Sequence, residues 1–192
     1  MRPFFRQLAF LCFLWTLASS GNATDLRSRF KAIHLDHICQ FDPQLRDEAE
    51  KIGWDWRLLA SIIYQESHFK PQLVNEKGAF GLMQLMPVTM RKYGINHNST
   101  VEEQLKVAGQ LLLHFDRELP ESISDNLERD CFILASYNAG MGTILKARLR
   151  AERNGYNPDV WFDNVERFAP KQTYCFVRDI KRRFSHYKAL IQ

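Results

Sequence analysis

Apolar residues along this chain recur at helical spacing, and no stretch alternates convincingly enough for a strand. Asp42-Pro43 starts a short helix over Leu45 to Ile52, which Gly53 ends. Asp55 caps the next helix, Trp56 to about Ser67, whose apolar stripe contains Leu59, Ile62 and Ile63. Pro71 to Gly81 reads as a loop, and Pro87 opens a helix that stops at Gly94. Val101 to Leu119 is a long helix with Leu105, Ala108, Leu111, Leu112 and Phe115 on one side, ended by Pro120. Asn126 to Tyr137 forms another helix, which Gly140 and Gly142 break. Thr143 caps a helix to about Asn154, Trp161 to Pro170 is irregular, and Thr173 to Leu190 closes the chain with a basic outer face (Arg178, Lys181, Arg182). The pattern predicts a compact, mainly α fold over residues 41–190, with at most a small hairpin between Pro71 and Gly81.

The amino terminus has a different character. Arg2 and Arg6 precede an apolar run from Leu8 to Leu17, and Ala18, Ser19, Ser20 and Gly21 follow. Residues 1–20 therefore read as a secretory signal, cut after Ser20 or Ala23, with 24–40 as an arm leading into the domain. The expectation is export to the periplasm or to the outer membrane. Setting aside Arg2 and Arg6 leaves 24 of the 26 basic residues against 22 acidic ones. That balance gives no reason to expect nucleic acid as a partner. Export permits disulfides, and Cys39, Cys131 and Cys175 predict one pair plus one free thiol. The His residues do not stand at metal-binding spacing from these cysteines, so neither metal nor cofactor is expected.

The chemistry concentrates at Glu66. It lies three and four residues beyond Ile63 and Ile62, on the core side of its helix. A carboxyl on an apolar face is costly when charged. Burial raises its pKa, and so does the negative end of a helix that must stop near Pro71. An acid kept protonated near neutrality is what general-acid cleavage of a glycosidic bond requires. Ser67 offers a hydroxyl beside it, and Gly78 and Gly81 let backbone approach closely. Gln84 is a lone amide in the apolar run Leu82-Met83-Gln84-Leu85-Met86, suited to a sugar's acetamide or hydroxyls. Met86 reads as core filling, whereas Met83 is a candidate for the binding surface. A second constellation, Ala135-Ser136-Tyr137-Asn138-Ala139-Gly140, presents a phenol and an amide at a helix end. Tyr137 is expected to hydrogen-bond the acid and Asn138 to hold a substrate group.

Together these motifs resemble the catalytic domain of lytic murein transglycosylases of the soluble type, most of all the module of the membrane-bound transglycosylase F group. The resemblance rests on Glu66-Ser67, Gly81-Leu82-Met83-Gln84-Leu85-Met86-Pro87 and Ser136-Tyr137-Asn138-Ala139-Gly140, with Trp54 to Leu59 in support, and runs from about Phe41 to Tyr187. It departs from the family at Ser136, at Gln172, which lacks a charge, and at Phe176, which lacks a phenol. It implies a lysozyme-like α+β fold of the goose-lysozyme kind. It also implies cleavage of the bond from N-acetylmuramic acid to N-acetylglucosamine in peptidoglycan, leaving a 1,6-anhydromuramoyl end. Glu66 would be the catalytic residue. Ser67, Met83, Gln84, Tyr137 and Asn138 would bind substrate. The family uses no second carboxylate, although Asp163 and Glu166 stay open as one. A water-using muramidase of the same fold and a non-catalytic peptidoglycan-binding or scaffold protein are the other readings. A monomer acting on glycan strands is expected, either in general wall remodelling or in the service of a secretion or conjugation apparatus.

Overall fold

Capping chemistry sets most of the helix boundaries. α1 (Asp42–Ile52) has Pro43 in its first turn and ends at Gly53, at φ 71°. α2 (Trp56–Ser67) starts at Asp55, whose carboxylate accepts from Arg57 N at 2.9 Å. α3 (Pro87–Tyr93) begins at a proline and stops at Gly94. α4 (Val101–Glu118) carries a reciprocal box: Thr100 Oγ1 accepts from Glu103 N, and the Glu103 carboxylate accepts from Thr100 N. In α5 (Asn126–Ala139) the Asp125 carboxylate accepts from Leu127 N and Glu128 N. α6 (Met141–Arg153) and α7 (Lys171–Leu190) complete the helices, with a 3-10 turn at Val165–Phe168 between them.

The structure, a computed structural model, describes residues 37–191. The expected export signal, and the arm as far as residue 36, lie outside these described residues. His37–Ala189 form one compact unit. Among the described residues there is no named strand, and no helix is long and apolar enough to cross a membrane.

Two expectations are corrected, and the hairpin, expected at most, is present only in part. The hairpin is reduced to single antiparallel bridges, Val74 to Phe80 and Phe80 to Leu85. An Asx turn replaces a longer ladder, because Asn75 Oδ1 accepts from Lys77 N and Ala79 N. Only Gly140 separates α5 from α6: at φ 83° it serves both helix ends, so α6 starts at Met141 and holds Gly142 inside it. Cys39, Cys131 and Cys175 are all free thiols, respectively half-buried, in the core and on the exposed side of α7.

The core is apolar and continuous. Leu59, Ile62 and Ile63 of α2 pack with Leu105 and Leu112 of α4, Phe132 and Leu134 of α5, and Val177 and Ile180 of α7. Trp161 is fully buried edge-to-face on Phe132 at 5.6 Å, and its backbone N–H donates to Glu128. Arg129 ties the α4–α5 connection. It donates to Asp116 Oδ1 at 2.8 Å, Asp116 O at 2.5 Å and Ile123 O at 2.9 Å. Replacing Arg129 by Met strands these acceptors, so we expect a stability loss of about 2–3 kcal/mol. Urea unfolding checks this, and an unchanged midpoint would show that the clamp contributes nothing.

Candidate active site

Glu66 occupies the penultimate position of α2, and the helix stops abruptly beyond it. His68 takes the left-handed conformation (φ 50°, ψ 43°), its N–H donating to Tyr64 O, and Phe69 follows at φ 60°. Two successive non-glycine residues with positive φ are uncommon and need support from their surroundings. Tyr64 provides it, with His68 at 4.7 Å and Phe69 at 5.9 Å between ring centroids. Arg183 of α7 lies 3.9 Å over the Tyr64 ring, and its Nη1 donates to Gln65 Oε1 at 3.3 Å.

The Glu66 side chain is largely withdrawn from water, and among the described residues nothing hydrogen-bonds or ion-pairs its carboxyl. Burial alone pushes its pKa up to about 7. Nearby, the Tyr137 phenol is pushed well above its ordinary range, first by burial and then by the Glu66 carboxylate.

Tyr137 does not hydrogen-bond the acid, as the sequence suggested. Its hydroxyl donates instead to Met83 O at 2.5 Å, joining α5 to the glycine loop. Met83 and Met86 exchange their expected places. Met83 is 0% exposed and fills the core, so it contributes its carbonyl to the site's framework, whereas Met86 is 44% exposed. Met83 lies in the turn between the bridged residues Phe80 and Leu85, and Met86 follows the bridge. Ser67 is fully buried, and its hydroxyl donates to Ile63 O at 3.2 Å, so it closes the helix end and does not face a ligand.

Gln84 sits at φ 48°. Its Nε2 donates to Leu73 O at 3.1 Å and Gly81 O at 3.0 Å. Two carbonyl neighbours demand the amide nitrogen there, so the orientation follows from the network. Both amide hydrogens are used, and Oε1 remains as an acceptor. Asn138 is half-held: its Oδ1 accepts from Thr173 Oγ1 at 2.8 Å, leaving the amide nitrogen without a partner among the described residues. Thr173 is fully buried at the start of α7, and the sequence had not singled it out.

Asp163 and Glu166 have other roles. Glu166 is buried and ion-paired to Arg178 at 2.8 Å, and it accepts from Asp163 N. The Asp163 side chain is 79% exposed and lies beside Arg167. A groove of about 520 Å³ between α1 and α4, and another of about 550 Å³ along α7, include none of the motif residues in their linings.

The family model for the transglycosylase SLT domain matches residues 44–160. The chain belongs to this family. The SLT domain is 39% identical over 174 residues to the membrane-bound lytic murein transglycosylase F of Marinobacter nauticus, covering 82% of this chain and 34% of that protein. To the protein of the same name from Stutzerimonas stutzeri it is 36% identical, covering 77% and 31%. The chain thus spans about a third of the length of these relatives. Among solved structures, an inactive mutant of the lytic transglycosylase Slt from Pseudomonas aeruginosa superposes with a TM-score of 0.56 at 24% identity, covering 80% of this chain and 25% of that one. The 70 kDa soluble lytic transglycosylase from Escherichia coli gives 0.57 at 20% identity, covering 78% and 24%. These two matches establish the mainly helical fold.

The raised Glu66 pKa has a consequence for stability. Between the ordinary value of 4.5 and about 7, the unfolded chain releases this proton while the SLT domain keeps it. Stability therefore falls as pH rises through that window, by an amount on the order of 3 kcal/mol. Glu66→Gln should be more stable than the wild type above pH 7 by up to this amount, with the difference vanishing below pH 4.5. Parallel denaturant melts against pH check it, and a constant difference across the range would contradict it.

Proposed function

We propose that this chain is a lytic transglycosylase of peptidoglycan in which Glu66 is the single acid and base. One observation carries the reading: an unpaired carboxyl, desolvated at a helix end and poised to titrate at about 7, in the electrostatic neighbourhood of Tyr137. Protonated Glu66 donates its proton to the oxygen linking N-acetylmuramic acid to N-acetylglucosamine, and the bond from that oxygen to the muramic C1 breaks. The resulting carboxylate then takes the proton from the C6 hydroxyl of the same muramic acid as that oxygen bonds to C1. The product is a 1,6-anhydro ring and no water is consumed. Glu166 is ion-paired to Arg178 and the Asp163 carboxylate faces solvent, which favours a route without a second catalytic carboxylate.

The remaining polar groups suit an N-acetylated sugar. Gln84 Oε1 accepts from an acetamido N–H or a sugar hydroxyl, and the Asn138 amide nitrogen donates to a sugar or acetyl oxygen. The amino-terminal apolar segment behind Arg2 and Arg6 supports delivery to the compartment that holds this polymer.

Digestion of purified murein, with products weighed by mass spectrometry, tests the reaction. The expected outcome is anhydromuramoyl ends. Reducing ends, heavier by one water, would instead mark a hydrolase, and binding without products would mark a scaffold protein. Glu66→Gln should fold and lose about 10²–10⁴-fold or more in turnover. Since the free enzyme must carry the proton, kcat/KM should decline as pH rises through about 7. A rate that held steady to pH 9 would remove Glu66 from the acid's role.

A further inference from the structure

Gln104 lies in the first turn of α4 and is 1% exposed, an amide set against the apolar core. A buried amide is unfavourable unless its hydrogen bonds are made. Its bonds run to three separate segments. Oε1 accepts from Leu82 N at 2.9 Å, while Nε2 donates to Pro71 O at 3.2 Å and to Ser99 O at 3.1 Å. Leu82 belongs to the glycine loop, Pro71 follows the turn that ends the Glu66 helix, and Ser99 precedes α4. We propose that Gln104 is a positioning residue for the reaction: its amide sets where the Gly81–Gln84 wall stands relative to the helix end that carries Glu66.

Several observations converge on this role. Gly81 passes so close that a Cβ there would lie 2.1 Å from Gln104 Oε1, and its φ of 82° also requires glycine. The loop is therefore seated on the amide. On its other side Tyr137 holds Met83 O, so the wall is pinned at Leu82 N from α4 and at Met83 O from α5. The two pins fix the backbone just before Gln84. A leucine would fill similar space without an amide to desolvate, so packing alone gives no reason for a glutamine here. Small displacements of groups around a reacting bond cost large factors in rate, which makes such a tie consequential.

This inference rests on the transglycosylase reading, and its test separates the two. Gln104→Leu and Gln104→Glu are prepared in the full chain. Turnover on purified murein is measured across pH, and hydrogen exchange at the Leu82 amide is read without substrate. Gln104→Leu should lose about 10–100-fold in kcat/KM, while the decline near pH 7 stays in place because the surroundings of Glu66 are untouched. Its Leu82 amide should exchange faster while amides in α5 keep their protection. Gln104→Glu keeps an acceptor for Leu82 but has at most one hydrogen to share between Pro71 and Ser99, and should fall between Gln104→Leu and the wild type.

Turnover of Gln104→Leu within about twofold of the wild type would overturn the proposal. So would a loss accompanied by movement of the pH decline toward the ordinary carboxylate range, because that marks a general loosening that wets Glu66. Should Gln104→Leu fail to fold, Gln104→Glu decides by the same criteria. A wild type inactive on murein refutes the functional reading alone, and the Leu82 exchange still reports on Gln104.

Discussion

The site depends on a carboxyl that is largely withdrawn from water and, among the described residues, given no countercharge. An arginine beside Glu66 would stabilise the anion and return its pKa toward the usual range. Arg183 is a cation that reaches this helix end, and it is spent on the Tyr64 ring and the side-chain amide oxygen of Gln65. The guanidinium thus braces the turn that aims the acid without neutralising it. This placement is unfavourable for stability above pH 4.5 and favourable for proton donation at neutrality.

The glycine loop that Tyr137 holds has backbone polar groups already engaged. Gly81 N donates to Leu73 O, Leu82 N to Gln104, and Gln84 spends both amide hydrogens on loop carbonyls. Tyr137 and Asn138 are likewise anchored by one polar atom each, to Met83 O and Thr173. The groups left over are therefore specific ones: the Gln84 carbonyl oxygen and the Asn138 amide nitrogen. Polar groups held this way need little reorganisation to make a further hydrogen bond.

The two departures in α7 are different in kind. Phe176 is buried in the core beside Val177 and Ile180, where a phenol would need a partner, and Gln172 is exposed. Between them Thr173 turns inward and meets Asn138. The contribution of α7 to the site thus passes through Thr173 and Arg183, which lie on its inner and α2-facing sides.

Much was legible in the chain alone because it depends on local chemistry. Asp55, Pro87, Gly53, Gly94 and Pro120 mark helix ends through capping and backbone restriction, and their effects are complete within a few residues. The placement of Glu66 at the end of an apolar stripe follows from helical periodicity, and so does the raised pKa. The exchange of Met83 and Met86, the hydroxyl of Tyr137 turned to a carbonyl, and the bonds of Gln104 were set by tertiary contacts. The Gln104 and Tyr137 bonds reach partners 22 and 54 positions away in sequence, and hydrophobicity along the chain carries no record of which surface a short loop presents. Local pattern determined where the Glu66 carboxyl lies; only the packing of α2, α4, α5 and α7 around one glycine loop decided which polar atoms remain unpartnered among the described residues.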